Sequence, residues 1–227
     1  KTVYGGAVGQ LSNAYTLPQM ISYYLLVAVV DVLTAVNEDD WQIAADIREG
    51  NINHFLLKPM DYLRYRLCLF FAGRIAFMAM AILPLIVFIF CLRHNFVAPA
   101  DLTALIAFAI SLVLTALLQF FMSFAMAMLA FWMLEISTVI FIVFALEYAA
   151  SGHMFPLDIL PHRLEQLLFL TPFPYQLYFP ISVYMGKTTG PDLVQGMLIQ
   201  LGWVVAMYGL ARLMWARGIR KYSAFGG

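Results

Sequence analysis

A nearly uninterrupted apolar stretch at residues 102–150 restricts the possible folds more than any other feature of this sequence. As a single helix it would be about 73 Å long, more than twice the roughly 30 Å hydrocarbon thickness of a bilayer. The stretch must therefore fold back on itself. Trp132, Glu135 and Ser137 indicate where the turn lies, which predicts one membrane-crossing helix on each side of it.

The composition also requires lipid contact. Of the 227 residues, 63% are hydrophobic and 11% are charged, whereas a soluble domain carries about 25% charged residues. The 13 basic residues equal the 13 acidic ones, so no excess of positive charge points to a nucleic-acid partner. Cys68 and Cys91 fall in one apolar segment and suggest neither a disulfide framework nor a metal site.

Three further apolar runs are long enough to cross a bilayer: residues 17–36, 67–92 and 193–215. The second contains Pro84, which predicts a kink. Together with the two helices of residues 102–150, these runs predict five transmembrane helices in an all-α integral membrane protein. We expect residues 1–227 to form one transmembrane domain that lacks an upstream segment, because the sequence begins at Lys1.

The distribution of lysine and arginine predicts the orientation. Residues 37–66 and the C-terminal tail are rich in positive charge, and four predicted crossings separate them, so both lie on the same side. By the positive-inside rule that side is the cytoplasm, and residues 151–192 are external. The prediction is a multi-pass protein of the cell membrane with a cytoplasmic C-terminus. An upstream span would give six crossings.

Residues 38–59 predict a cytoplasmic amphipathic helix rather than a span. The apolar residues Trp41, Ile43, Ala44 and Ile47 are interspersed with charged ones, and Gly50 ends the pattern. Two interpretations stay open: a docking surface for a partner, or a solvated linker that lies on the membrane.

Residues 155–180 predict re-entrant or interfacial helices, because prolines divide an apolar segment that is too short to cross. We expect two short helices that dip into the outer leaflet and act as a gate; the alternative is a static external cap. The residues assigned to this region are Pro156, Pro161, Phe169, Pro172, Phe173, Pro174 and Tyr175.

No catalytic constellation is evident in the sequence. The stretch from Met185 to Thr188 is similar to the end of a phosphate-binding loop, but Ile181 stands where that pattern needs its first glycine. His162 and Glu165 match part of a zinc-protease pattern, but Gln166 replaces the second histidine. Near Ser151 and His153 the sequence has no acidic partner.

Charged residues within or beside the spans are the remaining chemical signal. Asp31, Arg74 and Glu147 must pair, extend toward the membrane surface or line a water path, because an isolated charge in a bilayer is costly. For Asp31 and Arg74 we expect either mutual pairing or extension toward the cytoplasmic surface. For Glu147, near the outer end of its span, the alternatives are a gating role and a structural one.

Three stretches together resemble the permeases of type-2 ATP-binding-cassette (ABC) exporters, most closely the viologen-exporter-like subgroup. Each motif is loose, but their order and spacing are specific. They are DIREGNI at 46–52 with LLKP at 56–59, SGHMFPL at 151–157 with ILP at 159–161, and TPFPY at 171–175 with FP at 179–180 and GK at 186–187.

The resemblance implies six spans per subunit with re-entrant helices before the last, and a dimer formed with a second copy or a homologous permease. It implies separate ABC ATPase subunits that carry the ATP, so that this chain is not an enzyme and binds no cofactor or metal directly. Residues 37–66 would then be a coupling loop, with the contact at Asp46, Ile47, Arg48, Glu49 and Gly50. The alternatives are a secondary transporter, which would need inverted repeats, and a non-catalytic membrane assembly subunit.

Overall fold

A computed structural model describes residues 15–36, 39–91, 96–99, 101–133 and 135–222, and all regular elements in these ranges are helical. This confirms the predicted all-α class. The α-helices are α1 (Leu17–Thr34), α2 (Asp39–Arg48), α3 (Ile52–Leu56), α4 (Tyr62–Cys91), α5 (Leu102–Ala127), α6 (Ser137–Ala150), α7 (His162–Phe169), α8 (Tyr178–Tyr184) and α9 (Gly190–Lys221). Short 3-10 turns lie at Met128–Phe131, Leu157–Ile159 and Phe173–Gln176.

Among the described residues, four helices are long and apolar enough to cross a bilayer: α1, α4, α9, and α5 together with the turn that follows it. The second span predicted within residues 102–150 corresponds to α6, whose 14 residues cover only about 21 Å. The predicted reversal within residues 102–150 is confirmed: the chain leaves helix after Phe131, α6 begins at Ser137, and Ile140 of α6 belongs to the same hydrophobic cluster as Met126 and Leu129. Helix α4 continues through Pro84 without interruption.

The ends of the long helices follow from local charge and hydrogen bonding. Asp101 caps α5, since its Oδ1 accepts the backbone N–H of Ala104 at 2.7 Å. Helix α9 has Asp192 in its first turn and Arg220 and Lys221 in its last. These charges oppose the partial charges at the two helix ends and stabilise the helix.

Helix α5 lies at the centre of the fold and packs against α1, α2, α8 and α9. Aromatic rings pack around its C-terminal half: Phe70 and Phe120 have centroids 5.3 Å apart, and Tyr62 stacks on Trp215 at 4.9 Å. The outer faces of α4, α6 and α9 carry exposed apolar side chains, Phe141 among them. These faces suit lipid or another membrane subunit.

Two glycines allow close approaches that a side chain would block. Gly196 of α9 faces Phe179 of α8, and a Cβ there would overlap the ring. Gly152, just after α6, has a φ of +103°, and a Cβ would lie 2.7 Å from the Tyr23 hydroxyl oxygen. The chain can therefore leave α6 while packed closely on α1.

Candidate functional site

A cavity of about 820 Å³ lies between α1, α2, α5, α6 and α9. Its wall is mostly apolar and includes four methionines, whose flexible thioether side chains adapt to ligands of different shape. Aromatic rings from α2 and α6 complete the apolar wall. The methionines and rings are Met122, Met126, Met207, Met214, Trp41, Phe141, Phe144 and Tyr148.

Five polar residues also line this cavity, namely Asp31, Gln119, Ser123, Glu147 and His153. Within the described ranges, Gln119 Oε1 and Ser123 Oγ are buried and make no hydrogen bond to protein. Buried polar atoms are nearly always satisfied, so such atoms in a cavity wall indicate a place for water or a polar group of a ligand.

His153 joins the end of α6 to α1. Its Nε2 lies 3.1 Å from Asp31 Oδ1, and its Nδ1 lies 2.7 Å from the Ser151 hydroxyl oxygen. Tyr148 stacks on the imidazole with ring centroids 4.8 Å apart. We call the contact between Asp31 and His153 the α1 latch.

Asp31, His153 and Ser151 do not form the active site of a hydrolase, although they include serine, histidine and aspartate. Ser151 is fully buried, so its hydroxyl cannot meet a substrate. With the neutral ring protonated on Nε2, that N–H donates to Asp31 and Nδ1 accepts the Ser151 hydroxyl proton. The arrangement therefore orients the imidazole toward α1 and the cavity.

Two tyrosines of α1 reinforce the latch. The Tyr23 hydroxyl donates to the carbonyl of Gly152 at 2.6 Å, and the Tyr24 hydroxyl donates to the carbonyl of Met154 at 2.8 Å. Because Tyr23 and Asp31 are eight residues apart, these contacts extend over about 12 Å of α1. Helix α1 and residues 151–154 are thus held together at several points.

A second polar cluster fixes the chain just before the buried helix α8. Gln200 of α9 is fully buried; its Nε2 donates to the carbonyls of Ser111 and Tyr175 and to Thr115 Oγ1, at 2.9–3.1 Å, and its Oε1 accepts the Ser111 hydroxyl proton at 2.9 Å. Every side-chain hydrogen bond that Ser111 and Gln200 make within the described ranges belongs to this cluster. It ties α5 and α9 to the backbone just before α8.

The region predicted to be re-entrant contains an exposed helix, α7, and a buried helix, α8. Phe169 lies at the end of α7 and contacts Tyr175 and Tyr178 edge-on, each at 5.9 Å between centroids. Phe173 is half-buried. Pro156, Pro174 and Tyr175 are buried, Pro172 is half-buried, and Pro161 precedes α7 on the exposed surface.

The five proposed coupling residues divide between two faces of α2 and its end. Asp46 and Ile47 face the protein: Asp46 accepts the Tyr62 hydroxyl proton at 3.0 Å and lies 3.7 Å from Arg66, while Ile47 is buried. Arg48 and Glu49 are exposed. Gly50 ends the helix with a φ of +81°.

The intramembrane charges lie in different surroundings. Asp31 and Glu147 line the cavity. Arg74 is buried on α4, where its guanidinium carbon lies 5.1 Å from the ring centroid of Phe77 and 6.0 Å from that of Phe70. The described contacts thus pair Asp31 with His153 rather than with Arg74.

The phosphate-loop-like stretch is engaged in structural contacts. Lys187 forms an ion pair with Asp158 at 2.6 Å and lies over the ring of Tyr15 at 3.3 Å. The Tyr15 hydroxyl donates to both oxygens of the same carboxylate. Burial, followed by the charge of Asp158, raises the pKa of Tyr15 above its usual range, which keeps the hydroxyl protonated. This cluster fastens the start of α1 to the segments around Asp158 and Lys187.

Sequence reasoning missed His153 and Gln200 as organising residues. His153 lies 122 positions from Asp31, so proximity in sequence could not connect them. A usable signal existed: each is a polar residue in an apolar region, where such a group needs a partner.

Comparison with known protein families gives a match over nearly the whole chain. The family model described as ABC-2 family transporter protein matches residues 7–226. No curated protein and no solved structure matches the chain.

Proposed function

Because the chain belongs to the ABC-2 family of transporter proteins, we propose that it is the permease subunit of an ATP-driven exporter. In this proposal separate ATPase subunits bind and hydrolyse ATP, and the chain provides the path across the membrane. The cell membrane is the proposed location, with the C-terminus in the cytoplasm.

The observation that carries the proposal is the position of α2 against the end of α5 and the turn Met128–Phe131. Its apolar residues Ile43, Ala44 and Ile47 are buried, whereas Arg48 and Glu49 are exposed at its C-terminal end. A helix attached in this way moves with the bundle when its charged end is displaced. It is therefore suited to receive a stroke from an ATPase.

Helix α1 can pass this movement on to the cavity. It ends at Thr34, only a few residues before α2 begins, and it holds residues 151–154 through the α1 latch and two tyrosines. Displacement of α2 then shifts α1 relative to α6. Since Asp31 and His153 both line the cavity, the same shift changes its shape.

We also propose that a second permease closes the open side of the cavity. Phe141 and Phe144 line the cavity, yet they remain 70% and 60% exposed in the isolated chain. Large exposed apolar side chains beside a cavity are typical of interfaces. A second copy or a homologous permease would bury them and enclose the path.

The test is reconstitution of the chain with an ABC ATPase that co-purifies with it. We expect the complex to hydrolyse ATP and the chain alone to show none. Arg48→Glu or Glu49→Lys should retain membrane insertion and ATP hydrolysis but lose transport. Arg163→Glu, a charge reversal on exposed α7, is the matched control and should leave transport unchanged.

The readout of transport is the release into vesicle lumens of amphipathic fluorescent dyes, tested as a panel. Hydrolysis by the purified chain without a partner would contradict the proposal. So would an assembled complex in which α2 makes no contact with the ATPase.

A further inference from the structure

A second cavity, of about 550 Å³, lies between the turn after α3, the start of α4 and the last third of α9. It is separate from the cavity beside the α1 latch and shares no lining residue with it. Lys58, Asp61 and Arg212 supply its charges, while Leu56, Met60 and Trp215 supply much of its apolar surface.

The charges of this pocket leave one positive charge in excess. Asp61 and Arg212 form an ion pair, and the carboxylate also accepts the backbone N–H of Arg64 at 3.2 Å. Burial alone would raise the pKa of Asp61, but these hydrogen bonds outweigh it and hold the pKa below its usual value. Lys58 pairs with no carboxylate of the described ranges, and its ammonium lies 5.6 Å from the Phe55 ring centroid.

The Arg212 guanidinium retains donors after it pairs with Asp61. It has five N–H groups, and the ion pair with Asp61 is made through Nη1 alone. Lys58 adds three donors on a flexible side chain. The pocket can therefore bind an anion with several acceptor oxygens while Asp61 keeps its partner.

Apolar side chains around these charges are exposed. Leu57 is 86% exposed, and Leu56 and Met60 are each 46% exposed. Tyr62 and Trp215, stacked at 4.9 Å, line the pocket below them. Stacked aromatic residues beside exposed aliphatic ones and a lysine are typical of the boundary between hydrocarbon and headgroups.

The depth of the pocket agrees with that boundary. Helix α9 has 32 residues and is about 48 Å long, so it extends well beyond the roughly 30 Å hydrocarbon layer. Arg212 lies nine residues, or about 14 Å, before its end, and Arg217, Arg220 and Lys221 follow. The level of Arg212 thus coincides with the headgroups of the leaflet at this end of the helix.

We propose that this pocket binds the headgroup of an anionic phospholipid. The phosphate oxygens accept hydrogen bonds from Lys58 Nζ and from the free N–H groups of Arg212. The acyl chains lie against Leu56, Leu57 and Met60. One net positive charge in the pocket matches the single negative charge of a phosphatidylglycerol, whereas a zwitterionic headgroup brings its own ammonium toward Lys58.

Native mass spectrometry of the full chain, delipidated in detergent, tests this site. Phosphatidylglycerol and phosphatidylcholine with the same acyl chains are titrated separately. We expect one phosphatidylglycerol to bind more tightly than phosphatidylcholine. Lys58→Gln should weaken phosphatidylglycerol binding about fivefold, the effect of one basic residue near an anionic lipid surface, and Lys58→Arg should restore it.

Arg220→Gln is the matched control, since it removes one positive charge from the same end of the protein at an exposed position outside the pocket. Its affinity for phosphatidylglycerol should change less than twofold. If Lys58→Gln does not fold, Leu57→Ser tests the acyl contact, because Leu57 is exposed. This variant should weaken the binding of both lipids.

Four results would overturn the proposal. Equal affinity for the two lipids would exclude headgroup selection, and equal losses in Lys58→Gln and Arg220→Gln would indicate general surface attraction. Displacement of the lipid by millimolar inorganic phosphate would indicate a site for small soluble anions. Unchanged lipid affinity in Lys58→Gln together with weaker ATPase association would assign the pocket to a protein partner.

Discussion

The imidazole of His153 lies 3.1 Å from the carboxylate of Asp31, which joins the turn after α6 to α1 across 122 positions of sequence. Both residues line the cavity, and the contact lies on the route by which we propose that α1 passes movement from α2 to the cavity. Its loss should therefore affect both stability and transport.

His153→Ala should lower the free energy of unfolding by about 1–3 kcal/mol, because it removes a hydrogen bond to a charged group and leaves the Ser151 hydroxyl without its partner. Thermal unfolding in one detergent measures the change. His162→Ala is the matched control: this histidine lies on the exposed surface of α7, so its replacement should change stability by less than about 0.5 kcal/mol. Equal effects of the two variants would contradict a role for the α1 latch.

Replacement by methionine should affect stability very differently at two buried glutamines of neighbouring helices. Gln200→Met removes four hydrogen bonds to α5 and the segment before α8, and should cost about 2 kcal/mol. Gln119→Met removes a buried oxygen that makes no hydrogen bond to the described protein, and should stay within about 0.5 kcal/mol of the wild type. Unfolding in a common detergent compares them. A larger loss for Gln119→Met would show that this side chain has a structural partner.

Gly152→Ala should destabilise the protein by about 1–3 kcal/mol, because the left-handed backbone is unfavourable for alanine and the new Cβ meets the Tyr23 hydroxyl. Gly202→Ala on α9 provides the control, since a Cβ there has no neighbour within 4 Å. It should be neutral or stabilising by up to about 1 kcal/mol. Thermal midpoints that fall equally in both variants would refute the stated role of Gly152.

The gate hypothesis predicts state-dependent labelling of cysteines placed at Phe169 or Phe173. Cys68 and Cys91 are exposed and must first be replaced by serine. Trapping ATP on the partner ATPase should change the labelling rate at Phe169, because an opening gate separates it from Tyr175 and Tyr178. Cysteine at Leu170, which is 73% exposed, should label equally in both states. Equal labelling at all three positions would favour a static cap.

The sequence was sufficient to predict the helices but not the contacts between them. Hydrophobic length and the polar residues near Ser137 located the reversal after α5, and Gly50 located the end of the amphipathic helix. These signals are local, because backbone hydrogen bonds and lipid exposure act on consecutive residues. The span predicted at the end of residues 102–150 is shorter than a typical crossing of about 20 residues, because α6 occupies only the last 14 residues of this apolar run.

The partners of polar residues were harder to predict, because a side chain can satisfy its hydrogen bonds with any segment that the fold brings near. Asp31 could be expected to need a partner, but only the packing of α1 on residues 151–154 selects His153 over Arg74. The same difficulty applies to Asp46: the resemblance assigned it to the contact with an ATPase, whereas Tyr62 and Arg66 contact it from the protein side. The charged surface that α2 exposes is therefore narrower than its charged sequence indicates.

The short helix α6 and the long helix α9 are mismatched to the bilayer thickness in opposite directions. At about 21 Å, α6 leaves roughly 9 Å of a 30 Å hydrocarbon layer uncovered, while α9 exceeds that layer. A bilayer accommodates a short segment by thinning, and a long one by letting it tilt. The membrane beside Phe141 and Phe144 should thus be locally compressed, and lipids with short acyl chains should collect there. Membrane thickness should then influence how easily the proposed second permease packs against this face.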